Sequence, residues 1–154
     1  MRLGAVDGAS LSRGEVWRLI ASQFLHVHAP HMLFNALGML AVGSVLERRG
    51  AWVFGLIALV GGSAGQVASV IAYPELVSSG ASQSLMALCG AALLLSRTRP
   101  ALLLVGFILA VQIVLDVRAA QTLKAGHVAG FAAGLLLAGA LLLLRPVRTE
   151  TRTP

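Results

Sequence analysis

Residues 125–144 read AGHVAGFAAGLLLAGALLLL, a run of 20 residues that contains no Asp, Glu, Lys or Arg. A helix needs about 20 predominantly apolar residues to cross the hydrocarbon core of a bilayer. The run lacks the alternating polarity that is typical of a strand in a membrane barrel. A spanning segment must also satisfy its own backbone hydrogen bonds. We therefore expect this run to form a transmembrane helix.

The same criterion finds four more apolar gaps between charged residues. The gap at 100–115 is the shortest, and it reaches a spanning length only if its helix continues to Val117. Pro30 lies where the first helix could begin, and Pro74 and Pro100 lie at the ends of gaps, since a proline is tolerated at the start of a helix or stops one. The sequence therefore predicts an all-α, polytopic membrane helix bundle with spans near residues 30–47, 51–72, 81–96, 100–117 and 125–144.

The composition excludes most other classes of protein. Of the 154 residues, 57% are hydrophobic and only 12% are charged, whereas soluble domains carry about 25% charged residues. Disordered chains are also excluded, because they are poor in apolar residues. The single cysteine, Cys89, allows no internal disulfide. The net charge is +6, but the basic residues lie between apolar blocks, so we expect a lipid bilayer as partner and no nucleic acid.

The distribution of Lys and Arg predicts the orientation. The connectors after the first and third spans and the C-terminal tail hold seven basic residues, and the other two connectors hold only Arg118 and Lys124. Positive loops stay in the cytoplasm, so the chain is predicted to be a multi-pass protein of a bacterial plasma membrane. The basic N-terminal segment then lies outside, a conflict that a preceding helix would remove. We divide the chain into an N-terminal segment with a membrane-dipping loop (1–29), a transmembrane domain (30–145) and a short polar cytoplasmic tail (146–154).

Four polar residues are predicted to share one depth in the membrane. The first, third and fifth spans run in the same direction, and their first turns carry His31, Asn35, Ser82 and His127. Polar groups inside a membrane are costly and tend to mark function, although they also join helices through hydrogen bonds. A serine beside a histidine is typical of nucleophilic catalysis. His31, Asn35 and the free N–H groups at the start of the Ser82 helix are candidate donors to an oxyanion.

No carboxylate is expected beside His127. Asp116 and Glu75 both fall in predicted loops. The sequence therefore favours a Ser–His pair over a Ser–His–Asp triad.

For the serine and histidine to meet, the third and fifth spans must pack closely. The fifth span carries glycines at positions 126, 130 and 134, four residues apart. Small residues at this spacing let helix backbones approach each other. The ladder of Gly126, Gly130 and Gly134 is equally compatible with generic helix packing.

A set of short motifs also occurs in a fixed order over about residues 14–140. The motifs are Trp17-Arg18, Phe24-Leu25-His26, His31-x3-Asn35, Glu47-Arg48 with Gly50, Gly80-Ala81-Ser82 and Gly126-His127-x2-Gly130-x3-Gly134. In their order and spacing they resemble the rhomboid family of intramembrane serine proteases.

The resemblance implies a function and a role for each motif. By position, Ser82 is the nucleophile and His127 the general base, and His31, Asn35 and the Ser82 amide bind the oxyanion. The family implies transmembrane protein substrates, and no cofactor or metal is expected. Arg18 and Glu47 resemble structural polar positions of the family. Trp17-Arg18, His26 and His28 fall in its membrane-dipping first loop, where we interpret the two histidines as structural or solvent-facing.

Three departures from the family pattern keep an alternative open. Gln83 replaces a glycine that usually follows the serine, and Met86 replaces an aromatic residue that often stacks on the histidine. The family core has six helices, whereas five are visible here, and the absent one would precede Trp17. The alternative is a catalytically weak or inactive rhomboid-like pseudoprotease that binds membrane clients. A metal site built from His26, His28, His31 and His127 is a third, weaker hypothesis, since no HExxH motif occurs.

Overall fold

The computed structural model describes residues 3–118 and 124–144, which form a helical bundle. Within these ranges, extended pairing is confined to one isolated antiparallel bridge between Val6 and Ser78. The predicted all-α membrane fold is confirmed. The predicted cytoplasmic tail, 146–154, lies outside the described residues. The helices are α1 (Gly8–Ser12), α2 (Arg18–Ala21), α3 (Ala29–Leu46), α4 (Ala51–Ala72), α5 (Ser82–Leu95), α6 (Arg99–Arg118) and α7 (Lys124–Leu143).

Helix α5 forms the centre of the bundle, and α3, α4, α6 and α7 pack around it. Every residue from Ser82 to Ala92 is buried. A helix of 14 residues is about 21 Å long at a rise of 1.5 Å per residue. This is shorter than the hydrocarbon core of about 30 Å. Because its four neighbours are long enough to cross a bilayer, Ser82 at the start of α5 lies recessed within the bundle.

The third predicted span, 81–96, agrees with α5 to within one residue at each end. The uncharged gap at 76–96 is longer than this helix. Its first residues belong to the loop 73–81, which contains Gly80, whose φ of +114° lies in the region that favours glycine. An uncharged gap thus includes both an apolar loop and a helix.

Proline and glycine set the other helix boundaries. Pro30 lies in the first turn of α3, where its missing N–H costs nothing. The turn Glu47–Arg49 follows α3, and Gly50, with φ of +97°, separates it from α4. Helix α4 contains one π-helical turn, Ile57–Gly61, and it ends before Pro74. The predicted boundaries of the other spans agree with these to within one or two residues.

The N-terminal segment lies across the loop that precedes α5. The Val6 and Ser78 backbones exchange two hydrogen bonds, at 3.1 Å and 2.7 Å, and Gly8 N donates to Pro74 O at 2.9 Å. Asp7 caps α1 by accepting from Ser10 N at 2.7 Å, and this hydrogen bond lowers the pKa of the Asp7 carboxyl. The segment therefore supports the approach to Ser82 from outside the bundle.

Arg18 and Glu47 were predicted to be structural, and their surroundings differ. Arg18 donates through Nη1 to Ala5 O at 3.0 Å, forms an ion pair with Glu15, and lies over the Trp17 ring at 4.8 Å. It thereby ties α2 to the N-terminal segment. Glu47 is exposed. In the described part of the chain it lies at the end of α3, away from the polar cluster around Ser82, so a scaffold role for Glu47 stays a prediction.

The outer surface of the bundle is apolar. Large side chains on α3, α6 and α7 point away from the core, among them Leu33, Leu103, Phe107 and Leu136. Contiguous apolar surface of this extent marks contact with a membrane. Together with four helices long enough to cross a bilayer, it identifies an integral membrane protein.

Candidate active site

Buried polar side chains gather at one end of the bundle, around the start of α5. Ser82, Gln83 and Ser84 begin the central helix, and each is at most 2% exposed. Asn35 on α3 and His127 on α7 are also buried. Burying a polar group costs free energy unless it is hydrogen-bonded. The partners of these side chains therefore show what the cluster can do.

Ser82 and His127 are hydrogen-bonded to each other. The Ser82 Oγ lies 2.9 Å from His127 Nε2, a normal distance for this pair of atoms. Ser82 is the first residue of α5, and His127 lies in the first turn of α7. The two helices thus bring together the two side chains that the sequence analysis singled out.

The glycine ladder explains how α7 comes so close to α5. A Cβ added to Gly130 would lie 2.5 Å from Gln83 O, and one added to Gly134 would lie 1.9 Å from Ala87 O. On the α4 side, a Cβ on Gly126 would lie 2.8 Å from Gly65 O. These contacts are with backbone atoms, which cannot move aside as a side chain does. At all three positions of the ladder only glycine leaves room for the neighbouring backbone.

Gln83 faces neither lipid nor solvent. It is 1% exposed and lies between α4 and α7. A Cβ on Gly65 would lie 2.7 Å from Gln83 Cβ, so the glycine provides the space that the glutamine fills. The Gln83 Oε1 accepts a hydrogen bond from Ser82 Oγ at 3.2 Å. The Ser82 hydroxyl therefore has two acceptors within reach and one proton to donate.

His31 and Asn35 lie against Gly80, two residues before Ser82. A Cβ added to Gly80 would meet His31 Cε1 at 3.3 Å and Asn35 Nδ2 at 3.9 Å. His26 completes this group, because its Nε2 accepts from Asn35 Nδ2 at 3.1 Å and from Ala81 N at 3.3 Å. The half-buried His26 therefore holds the backbone next to Ser82, which agrees with the structural interpretation of this residue.

Protonation of His26 is expected to destabilise this side of the site. Burial lowers the pKa of His26 below its usual value near 6.5, with a hydrogen bond from the ring to the Phe24 backbone acting in the opposite direction. The stabilisation from neutral His26 is therefore fully present above pH 6.5 and is lost as the pH falls below it. The His26→Gln variant keeps an acceptor that does not titrate. We expect the drop in Tm between pH 7.5 and pH 5.5 to be smaller in this variant than in the wild type, and an equal drop would contradict the assignment.

The four histidines divide into separate groups. His26 and His31 make an edge-to-face ring contact at 5.6 Å, His127 pairs with Ser82, and His28 is exposed. Within residues 3–118 and 124–144, no three His, Cys, Asp or Glu side chains lie together in a way that could hold a metal ion.

The expectation that no carboxylate approaches His127 is wrong. Asp116 Oδ2 lies 2.8 Å from His127 Nδ1, and Oδ1 lies 3.0 Å from it. Asp116 was assigned to a loop, but α6 continues to Arg118 and places it in the last helical turn. Helix α6 extends past the uncharged gap because the Asp116 carboxylate at its end faces the polar side chains of Gln112 and His127.

Two buried glutamines were missed by the sequence analysis. Gln66 on α4 donates to Gly80 O at 3.4 Å and accepts a hydrogen bond from Ser78, so it holds the loop before α5. Gln23 donates to Ser63 Oγ at 3.1 Å and accepts from Ser84 Oγ at 2.6 Å. An uncharged polar residue inside an apolar run was the available signal, since such residues bond across membrane helices.

Comparison with known proteins identifies the family. Residues 13–144 match the Rhomboid domain. The chain is 32% identical over 145 residues to the rhomboid protease GluP of Bacillus subtilis, covering 90% of this chain and 28% of that protein. It is 32% identical over 154 residues to RHOMBOID-like protein 4 of Arabidopsis thaliana, covering 94% of this chain and 39% of that protein. The chain thus spans well under half the length of these curated relatives. Since the domain match extends over most of its residues, the chain belongs to the rhomboid family.

Proposed function

We propose that this chain is an intramembrane serine endopeptidase that cleaves transmembrane protein substrates with Ser82 and His127. The observation that carries the proposal is the 2.9 Å hydrogen bond between Ser82 Oγ and His127 Nε2 in a buried polar cluster. A serine hydroxyl is a weak nucleophile until a nearby base takes its proton. The relative from Bacillus subtilis is named a protease, which supports the same activity here.

The hydrogen bond defines the route of the proton. Ser82 Oγ attacks the carbonyl carbon of the scissile peptide bond while His127 Nε2 takes the hydroxyl proton. His127 then gives this proton to the departing amine as the C–N bond breaks, which leaves an ester on Ser82. A water molecule attacks the ester, its proton passes to His127, and the acid product leaves as the hydroxyl of Ser82 is restored.

The N–H groups near Ser82 suit the negative charge that develops on the carbonyl oxygen. Ser82 begins α5, so its backbone N–H has no acceptor within the helix. The side chains of His31 and Asn35 lie against Gly80, two residues before Ser82. Preorganised N–H donors of this kind are typical of an oxyanion hole, in which each donor contributes about 3 kcal/mol.

The bundle also suits a substrate that lies in the membrane. Ser82 is recessed because α5 is shorter than its neighbours, and the site lies at the end of the bundle where α5 and α7 begin. At the opposite end lie Arg48, Arg49, Arg97 and Arg99, and basic residues favour the cytoplasmic side of a membrane. The proposed location is therefore a bacterial plasma membrane, with the site close to the outer surface.

The proposal is tested with detergent-purified protein and a model transmembrane substrate. We expect the wild type to cleave the substrate and to be labelled at Ser82 by a serine-directed fluorophosphonate. Ser82→Ala should lose both properties, because it removes the nucleophilic oxygen. Ser44→Ala is the matched control, since Ser44 is exposed on α3 and bonds only to its own helix. Equal cleavage by the wild type and Ser82→Ala would exclude Ser82 from the reaction.

A pseudoprotease that binds membrane clients is the second candidate, and Gln83 is the observation that favours it. Its Oε1 competes with His127 for the single proton of Ser82, and a hydroxyl held by the glutamine is not activated. In this case the wild type would capture a transmembrane client without cleaving it, and Ser82→Ala would capture it equally well. Turnover that depends on Ser82 would exclude this candidate.

A further inference from the structure

Asp116 is the one acidic side chain that contacts His127 in the described part of the chain. Both of its carboxylate oxygens lie within 3.0 Å of His127 Nδ1. The two side chains are largely buried, with 16% of Asp116 and 11% of His127 exposed. They come from different helices, since Asp116 lies in the last turn of α6 and His127 in the first turn of α7. The contact therefore depends on how these two helices pack.

Gln112 holds the carboxylate in place. It lies one turn before Asp116 on the same face of α6, and its Nε2 donates to Asp116 Oδ1 at 2.8 Å. Gln112 is 5% exposed, so this hydrogen bond is formed away from solvent. The Gln112 Nε2 also lies 3.4 Å from His127 Nδ1. When Nδ1 of His127 carries a proton, both nitrogens are donors and form no hydrogen bond with each other. The Gln112 amide therefore positions Asp116 and does not bond to the imidazole.

The two contacts of the imidazole require one tautomer. Nε2 must be unprotonated to accept from Ser82, so in neutral His127 the proton is on Nδ1. A carboxylate is an acceptor only, and it therefore favours the tautomer with Nδ1–H directed at it. The same carboxylate stabilises the imidazolium that forms when Ser82 gives up its proton.

We propose that Asp116 is the positioning residue of a Ser82–His127–Asp116 triad, held by Gln112, that fixes the tautomer and orientation of His127. The inference rests on the proposed function, because this tautomer matters for catalysis only if His127 activates Ser82. Asp116 does not touch the substrate or Ser82, and no proton needs to move onto it during the reaction.

The kinetic test uses Asp116→Asn, which keeps the shape of the side chain and removes its charge. We expect a loss of about 10²–10⁴-fold in kcat, with KM nearly unchanged because the substrate does not contact Asp116. Asp116→Glu, which restores a carboxylate, should recover part of the loss. Val117→Asn is the control, since it places the same amide in the same turn on the exposed side of α6. A kcat for Asp116→Asn equal to that of the wild type would overturn the proposal.

A second measurement separates this inference from the proposed function. The nitrogen NMR spectrum of the histidines, assigned by comparison with His127→Ala, reports which ring nitrogen of neutral His127 carries the proton. We expect Nδ1–H alone in the wild type and a mixture of tautomers in Asp116→Asn. An unchanged tautomer in Asp116→Asn would overturn the positioning role, even in a protein that cleaves nothing. An inactive wild type with the expected tautomer change would contradict the protease proposal alone.

Discussion

Replacement of His127 by alanine is expected to lower the kcat for a transmembrane substrate by about 10³-fold or more. The imidazole is the only base within hydrogen-bonding distance of Ser82 Oγ among the described residues. Without it, the Ser82 proton has no acceptor that can later return it to the leaving amine. Gln83 Oε1 can accept a hydrogen bond from the hydroxyl, but an amide is not a base at neutral pH.

The double variant Ser82→Ala/His127→Ala should be no slower than either single variant. Residues that act as one unit are strongly non-additive, because removing either one already abolishes the step that both perform. His28→Ala is the matched control for removal of an imidazole, since His28 is exposed in the loop before α3. Steady-state kinetics in detergent or in vesicles gives the comparison. A His127→Ala protein that keeps most of the wild-type kcat would remove His127 from the mechanism.

The second large effect is expected for Gly134→Ala, which adds one methyl group between α5 and α7. This methyl would lie 1.9 Å from Ala87 O and 2.6 Å from Ala87 C. Both are backbone atoms of the central helix, so the two helices must separate by more than about 1 Å to reach normal contact. Overpacking of a closely fitted interior costs about 1–3 kcal/mol, and we expect a loss in the upper part of this range or above it.

The same displacement should also reduce activity. His127 lies two turns before Gly134 on the same face of α7, and a misplacement of 1 Å near a reacting group costs about 10²-fold in rate. Gly139→Ala is the matched control, because a Cβ added to Gly139, farther along α7, has no neighbour within 4 Å. Its free energy of unfolding should be unchanged or slightly higher. Thermal unfolding and steady-state kinetics check both variants, and similar values for the two would show that the ladder is not a close contact.

The protease and pseudoprotease proposals differ in where the Ser82 proton resides. The distances to His127 and Gln83 are 2.9 Å and 3.2 Å, so the geometry favours the imidazole. A nitrogen acceptor is also more basic than an amide oxygen. Gln83 is nevertheless the second acceptor for the Ser82 hydroxyl among the described side chains, after His127.

The position of the helices could be predicted from the sequence to within one or two residues. Charge spacing and proline position are local properties of the sequence. Because a segment that spans a bilayer must be an apolar helix of a set length, these positions mark where the helices end. The span predicted at 81–96 agrees in the same way with α5, Ser82–Leu95. The charge pattern gave no account of the uncharged residues 76–81, which are held as a loop by hydrogen bonds to Gln66 and to the N-terminal segment.

The candidate site was predicted in part. Ser82, His127, His31 and Asn35 were identified because polar residues are rare in apolar runs and these four begin parallel spans. Asp116 was missed because, as the first charged residue after the uncharged gap at 100–115, it was assigned to the connector, although the predicted span extended to residue 117. The structural role of His26 on the Ala81 backbone also required knowing which loop lies beside which helix.

By itself, the sequence determined that this chain is a membrane helix bundle and that Ser82 and His127 begin two of its helices, because the bilayer constrains each segment separately. Only the tertiary structure decided that Asp116 reaches His127 Nδ1, that Gln83 fits against Gly65, and that His26 supports Ala81. These contacts join residues that are between 11 and 55 positions apart in the chain. They depend on how closely the helices approach and rotate against each other, and no local pattern of residues encodes that geometry.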